Sequence, residues 1–307
     1  MTNSGLEIEL NANIFERRNF KWSVFANATF LKNKINELDP SLNGEHISGS
    51  SILREGDSMY QNYLVKYAGV DPNTGLALYH TKTPADEYLQ REMQMTSDAF
   101  ADWKENNKDE YKAAVEAYKE NPERFVTSDW NHAYANGREA TGDLLPKVYG
   151  GFGTSIEFHG FDFGISFAYQ YGGKLWDYTY QELMHNGGDS DAGQNWHKDI
   201  ANAWTPENPN TDVPRLNTTD EFTNSSSDRW LISSNYLSIN NITLGYTLPK
   251  SWTRKLGLTS VRVYGAADNV AVFSARKGLD PRQGYTAADN TMYSALRTIS
   301  GGIKVTF

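Results

Sequence analysis

Residues Gly5-Leu6-Glu7-Ile8-Glu9-Leu10-Asn11-Ala12-Asn13-Ile14-Phe15 decide how this chain is read. Leu6, Ile8, Leu10, Ala12 and Ile14 alternate with Glu7, Glu9, Asn11 and Asn13. A period of two puts the first set on one side of an extended strand and the second set on the other. Glu16 to Asn19 is a short polar turn. From Phe20 the alternation returns, with Phe20, Trp22, Val24, Ala26, Ala28 and Phe30 set against Lys21, Ser23, Asn27 and Thr29. Two strands of about 11 residues joined by a tight turn have the length that a tilted membrane strand requires.

Working outward, the same pattern recurs. A strand near Met59 to Val70, a turn at Asp71-Pro72-Asn73-Thr74-Gly75 and a strand near Leu76 to Thr81 are expected. Lys147 to Phe158 and Phe161 to Tyr171 flank a turn at His159-Gly160. A long strand covers Arg229 to Leu248, another Ser260 to Ala271, and the last runs from about Ala295 to Phe307. In the long strand Leu237 and Ile239 are odd-numbered, whereas Ile242, Leu244, Tyr246 and Leu248 are even-numbered. One extra residue at Asn240-Asn241 keeps both sets on one face, which predicts a β-bulge there. Thr83 to Pro122 reads as helix, with Thr83-Pro84-Ala85-Asp86 as its start and the Tyr111 to Tyr118 run as its body.

The links alternate between short and long. In an up-and-down antiparallel sheet this places all short turns, and the end at Phe307, at one rim and the long loops at the other, as in outer-membrane barrels. The fold expected is therefore all-β: an antiparallel up-and-down transmembrane β-barrel segment of about nine strands, incomplete as a barrel. Its long external loops include one that contains helices.

Composition sets limits. Mean hydropathy is -0.62, but strand alternation hides an apolar face from such an average. No run approaches the roughly 20 apolar residues of a membrane helix, which excludes helical spanning and leaves barrel strands open. A net charge of -9 and a pI near 5.2 leave no basic stripe for phosphates, so no nucleic-acid partner is expected. The absence of cysteine excludes disulfides and thiolate metal sites. The 13% aromatic content suits interface girdles or a sugar-binding surface. Met1-Thr2-Asn3-Ser4-Gly5 has no basic or apolar leader pattern. Either the outer-membrane reading fails or the sequence begins inside a longer protein.

Residues that carry chemistry are few. Trp176, Tyr178, Tyr180, Trp196 and Trp204 lie in the connection between Tyr171 and Asp228, where flat rings could stack on sugars or grip peptide side chains. Packing of the connection against its neighbours, or a place in the interface girdle, is the better explanation. His185 and His197 with Asp189 and Asp191 follow no metal-ligand spacing. Gly187 to Asp191 could offer carboxylates to Ca²⁺ but lacks the full EF-hand order. No Gly-x-Ser-x-Gly elbow, Walker loop or His-Glu-x-x-His occurs, and Glu7 and Glu9 read as wall residues of one strand face. No enzyme, cofactor or metal is expected.

Several segments taken in order resemble a known family. Asn3-Ser4-Gly5-Leu6-Glu7, Asn33-Lys34-Ile35, Tyr67 to Gly75, Tyr149 to Gly153, Gln170 to Lys174, Asn240 to Pro249, Lys277 to Arg282 and Gly302 to Phe307 are similar to the C-terminal third of a SusC/RagA-type transporter. The match spans nearly the whole chain, and the helical segment is its least typical part. The resemblance implies a TonB-dependent outer-membrane importer of glycan or peptide fragments in Bacteroidetes-type bacteria. It also implies a SusD-like surface lipoprotein outside, TonB inside, outer-membrane lipid, and an oligosaccharide or peptide ligand. Such barrels have about 22 strands and a plug, so most of the wall and the plug are expected to lie outside residues 1–307. A terminal aromatic such as Phe307 resembles the signal read by the barrel-assembly machinery. The competing readings are a passive porin-like or structural outer-membrane protein and a secreted carbohydrate-binding β-sandwich.

Overall fold

The computed structural model describes residues 1–188, 193–283 and 295–307. Its largest element is an open antiparallel sheet of seven strands in chain order. These are β1 (Thr2–Arg17), β2 (Phe20–Lys34), β3 (Val148–Phe158), β4 (Phe161–Tyr171), β5 (Tyr236–Thr247), β6 (Ser260–Ser274) and β7 (Thr298–Thr306).

Alternation in each strand becomes two continuous faces because the registers agree. Ala12, Val24, Thr154, Ile165, Ile242, Ala267 and Ile299 form one row across all seven strands. The neighbouring row is Asn13, Ser23, Ser155, Gly164, Thr243, Ala266 and Ser300, small or polar throughout. The expected bulge in β5 is present: pairing shifts between Ile239 and Asn241 against both neighbours, so Leu237 and Ile239 share a face with Ile242 and Leu244. A second bulge was not anticipated. It falls between Asn13 and Phe15, and it sets Phe15 opposite Trp22 with the rings stacked at 6.0 Å.

The links between sheet strands alternate as read from the sequence. Short turns join β1 to β2, β3 to β4 and β5 to β6. Long connections join β2 to β3 (35–147), β4 to β5 (172–235) and β6 to β7 (275–297). Antiparallel pairing puts the three long connections on one rim and the short turns, with Phe307, on the other.

The connections have their own folds. The first carries a four-stranded sheet (Glu45–Ser48, Ser51–Arg54, Gln61–Val65, Arg138–Asp143) and a three-stranded one (Tyr67–Val70, Ala77–Lys82, Arg124–Thr127). It also holds helices α1 (Ala85–Glu92), α2 (Ser97–Asn106), α3 (Lys108–Glu120) and α4 (Trp130–Asn136). The second has a two-stranded ribbon (Lys174–Trp176 with Leu231–Ser233) and α5 (Tyr178–Leu183), and α6 (Lys250–Thr253) lies in the β5–β6 turn. The expected helical segment is broken into three, where Gln94 adopts φ 51° and where Asn107 ends α2. Thr83 does not cap α1; its hydroxyl donates to Glu123 Oε2 at 2.6 Å instead, and Pro84 precedes the helix.

These facts correct the expected fold class. The chain is a mixed α/β, sheet-rich unit and not the all-β, nine-stranded transmembrane barrel segment expected from periodicity. A barrel needs a ladder that returns to its first strand, whereas β1 and β7 are opposite edges of an open sheet. The strands near Met59–Val70 and Leu76–Thr81 never join that sheet. Tyr67–Val70 and Ala77–Lys82 pair with each other around Asp71–Gly75, so this turn belongs to the long-connection side and not to the short-turn rim. Period two establishes a strand but not the sheet it enters. Among the described residues no helix is long and apolar enough to cross a membrane.

The core is equally uneven. Among the described residues all buried apolar side chains, including Ile35, Ile52, Leu64, Val65, Tyr79, Leu175 and Trp230, lie in the long connections. The apolar face of the sheet stays exposed, with Leu6 at 58%, Leu244 at 55% and Ile303 at 69%.

Candidate functional site

The turn Asp71-Pro72-Asn73-Thr74-Gly75 sits where the first two long connections meet. Asp71 builds the turn: its carboxylate accepts the Asn73 N–H at 2.9 Å and the Thr74 hydroxyl at 2.7 Å, and these bonds lower its pKa. Gly75 has φ +74°, a conformation that glycine adopts without cost. A Cβ there would lie 2.5 Å from the Trp204 ring and 2.9 Å from Arg215 Cβ, so the second connection packs on bare backbone. Trp204 Nε1 donates to the Pro72 carbonyl at 3.0 Å, and the Arg215 backbone N–H donates to the Gly75 carbonyl at 2.9 Å. Arg215 is fixed by a two-pronged pair with Asp220 at 2.8 and 3.0 Å, and its Nη1 donates to the Thr74 carbonyl at 3.1 Å.

Further contacts seal the junction. Tyr67 donates its hydroxyl to the Asp212 carbonyl at 2.9 Å, and Tyr79 donates to the Phe222 carbonyl at 2.8 Å. Burial pushes the Tyr67 phenol up to about 12 and raises that of Tyr79, so both remain donors. Val65 pairs in parallel with Ser227, and the Tyr67 N–H donates to Asp228 Oδ1 at 2.8 Å. Burial raises the pKa of Asp228 despite that bond and nearby Lys66. The Arg229 guanidinium lies 4.9 Å from the Tyr67 ring centre and 4.6 Å from that of Trp230. Two clusters form beneath: Val65, Ala77, Tyr79, Trp130 and Ala133, and Met184, Val213 and Trp230.

The five aromatic residues marked in the sequence occupy different settings. Trp176 packs on the Trp230 cluster and donates to Gln181 Oε1 at 2.7 Å. Tyr180 joins the same cluster, donates to Asp199 Oδ2 at 3.1 Å and lies edge-on to His197 at 4.8 Å; burial and that carboxylate push its phenol up to about 12. Trp204 is the clamp on Gly75. Tyr178 and Trp196 present the most surface, 44% and 49%, although Trp196 Nε1 is held by the His185 carbonyl at 2.9 Å. His185 stacks on Trp196, and His197 accepts the Asp199 N–H, so the two histidines have separate partners. Asp189 and Asp191 lie outside the described residues. Phe307 follows β7 and is 89% exposed.

Beside the clamp opens a cleft of about 580 Å³, bounded by Ala68, Gly69 and Val70 and by Asn202, Asn208, Asn210, Thr211 and Asp212. The pairing of this strand skips Ala68, next to Gly69 at φ +101°. Sequence reasoning missed this cleft. The clustered asparagines at 202, 208 and 210 were its only signal, and nothing in them indicated which hairpin they would face. Carboxamides, hydroxyls and carbonyls can exchange hydrogen bonds with a neutral polar ligand such as a sugar or a peptide backbone. Among the described residues no group of three metal-binding side chains forms.

The built connections gather on one rim of the sheet, and a cleft lined by amides lies between two of them. No family model matches the chain. It is 27% identical over 331 residues to TonB-dependent receptor P3 of Formosa agariphila, covering 100% of the chain and 29% of that receptor. To TonB-dependent receptor SusC of Bacteroides thetaiotaomicron it is 22% identical over 310 residues, covering 100% of the chain and 26% of SusC. Among solved structures it superposes on the RagAB peptide transporter with a TM-score of 0.75 at 22% identity, covering 99% of the chain and 29% of that one. The chain thus has family-level homology to SusC/RagA-type TonB-dependent outer-membrane transporters and matches a fragment of such proteins, spanning less than a third of these relatives. These relatives are TonB-dependent receptors, and the solved structure is that of a peptide transporter.

Proposed function

We propose that this chain is the C-terminal portion of an energy-coupled outer-membrane importer that takes up glycan or peptide fragments. The observation that supports this is relatedness along the full chain to TonB-dependent receptors, SusC among them. The RagAB likeness in fold adds a peptide transporter to the comparison.

In this reading the long-connection side faces outward and meets the oligosaccharide or peptide together with a SusD-like lipoprotein. Tyr178 and Trp196, the more exposed of the marked aromatics, offer rings there, and the amide cleft lies on the same side. TonB acts through a plug carried elsewhere in the whole protein, outer-membrane lipid meets the apolar face of the sheet, and Phe307 serves as the assembly signal.

The test is uptake of labelled oligosaccharides and peptides by the source bacterium with and without the gene. Loss of uptake of one class, restored by the intact gene, and co-purification of a surface lipoprotein with the product are expected. Wild-type uptake of both classes by the deletion strain overturns the reading.

A further inference from the structure

A pocket in the first connection reverses the charge of its surroundings. The three long connections hold 32 of the 38 acidic residues but only 19 of the 29 basic ones. Between the helical insertion and the four-stranded sheet lies a cavity of about 230 Å³ whose charged lining is Lys82, Lys119 and Arg138, with no carboxylate among the described residues. An anion that enters it meets three cations in a confined space, where attraction is less screened than on an open surface.

The topology brings these bases together. Lys82 ends the Ala77–Lys82 strand just before the insertion, Lys119 lies in the last turn of α3, and Arg138 begins the Arg138–Asp143 strand after α4. Acids close to them in sequence are committed elsewhere. Glu123 accepts from the Thr83 hydroxyl and from Arg91, and Glu139 pairs with Lys66 at 2.5 Å and with Arg124 at 3.1 Å. Glu116 meets Lys119 at 2.8 Å from one turn back on α3. None of these three carboxylates lines the cavity.

Arg138 is held in place by its own chain. Its guanidinium lies 4.3 Å from the Tyr134 ring centre and 5.4 Å from that of Tyr63. Nε donates to the Tyr134 carbonyl at 3.0 Å and Nη1 to the Gly49 carbonyl at 3.3 Å, while Nη2 makes no hydrogen bond among the described residues. A planar guanidinium fixed in this way offers its donors in the geometry that a carboxylate accepts. Tyr63 also lines the cavity, and burial raises the pKa of its phenol, so the hydroxyl stays a donor. Ile47, Pro84, Ala85 and Pro122 supply an apolar wall. Cationic donors together with an apolar wall suit a rigid ring that has a C–H face and an anionic substituent. A flexible acidic side chain of a peptide has no such face.

We propose that this cavity is a subsite for an acidic sugar, with the carboxylate of a uronic acid residue held by Lys82, Lys119 and Arg138 and its ring against Ile47, Pro84 and Pro122. The inference rests on the importer reading and narrows its cargo to glycans that contain uronic acids.

The test is titration calorimetry of the full chain in a mild non-ionic detergent with three probes: digalacturonate, the neutral disaccharide maltose, and acetylated diglutamate. Digalacturonate is expected to bind at least about tenfold more tightly than either of the others. The K82Q and K119Q double variant, which leaves Arg138 and its ring contacts in place, should lower that affinity about tenfold. The K108Q and K112Q control removes the same charge from α3 outside the cavity and should leave it unchanged. Absence of digalacturonate binding overturns the proposal, as does binding of maltose or diglutamate with equal or higher affinity. An unchanged affinity in the K82Q and K119Q variant, or an equal loss in the control, overturns it too. Binding is measured on the purified chain, so normal uptake by the deletion strain would refute the importer reading and leave this result standing.

Discussion

At the scale of single residues, Gly75 and Asp228 carry the junction between the first two connections. A side chain at Gly75 meets both a positive φ and the Trp204 ring. Gly75→Ala should therefore cost about 2–4 kcal/mol, backbone strain and overpacking together. Denaturation followed by tryptophan fluorescence measures this, and a loss below about 1 kcal/mol would mean that Trp204 yields freely. Asp228 has its folded pKa raised above the unfolded value by burial. Its contribution is therefore present below the unfolded pKa and is lost as pH rises through the folded one. Asp228→Asn keeps an oxygen for the Tyr67 N–H and removes the charge. The variant should match the parent at low pH and unfold at a higher temperature at pH 7. A parent more stable than the variant at pH 7 would contradict this. The sequence alone identified the Asp71–Gly75 turn through its Pro and Gly, but not its partner. Trp204 stands more than a hundred residues away, and no local pattern encodes that meeting.

Among the elements, the seven sheet strands were legible because each has its own alternation, and the β5 bulge was legible because parity slips at Asn240. The bulge at Ile14 was not, since Ile14 and Phe15 are both apolar and either one fits the row. The strands of the smaller sheets were legible as strands but not as members of separate sheets, because pairing choice depends on contacts distant in sequence. The helical insertion had the opposite fate: its helix formers located it, while its cap was misplaced and its breaks at Gln94 and Asn107 were not anticipated. Its two ends meet. The Thr83 N–H donates to the Glu123 carbonyl at 3.0 Å, and Lys82 pairs with Arg124 in the strands below. Leu89, Phe100 and Tyr118 are buried within the insertion, apart from the Trp130 and Trp230 clusters. Replacing residues 85–121 with a short Gly-Ser turn should thus leave both clusters intact. Limited proteolysis should give the same stable fragments outside the excision in the shortened chain as in the parent. New cleavage within Ala77–Lys82 or Trp130–Asn136 would show that the helices support the hairpin beneath them.

For the whole molecule, the decisive feature is that burial and periodicity fall in different places. Among the described residues the strands with the clearest alternation hold no buried apolar side chain, while the connections, weakly patterned in sequence, contain the buried core. An amphipathic strand pattern reports that a face must be covered, not that this chain covers it. The row from Ala12 to Ile299 runs unbroken across seven strands, and among the described residues none of its side chains is buried. A contiguous apolar surface of that extent far exceeds what soluble monomers leave open, so in plain buffer it should be covered by other copies or by an amphiphile. The full chain is accordingly expected to elute as large assemblies without detergent and as one monodisperse species with a mild non-ionic detergent, and to bind a fluorescent apolar dye only in the absence of detergent. Ile8→Ser with Leu244→Ser and Ile303→Ser, three positions on that face in β1, β5 and β7, should reduce both assembly and dye binding. If the unmodified chain is monomeric and dye-silent in buffer alone, the face is covered from within and the open sheet described above is not the state in solution.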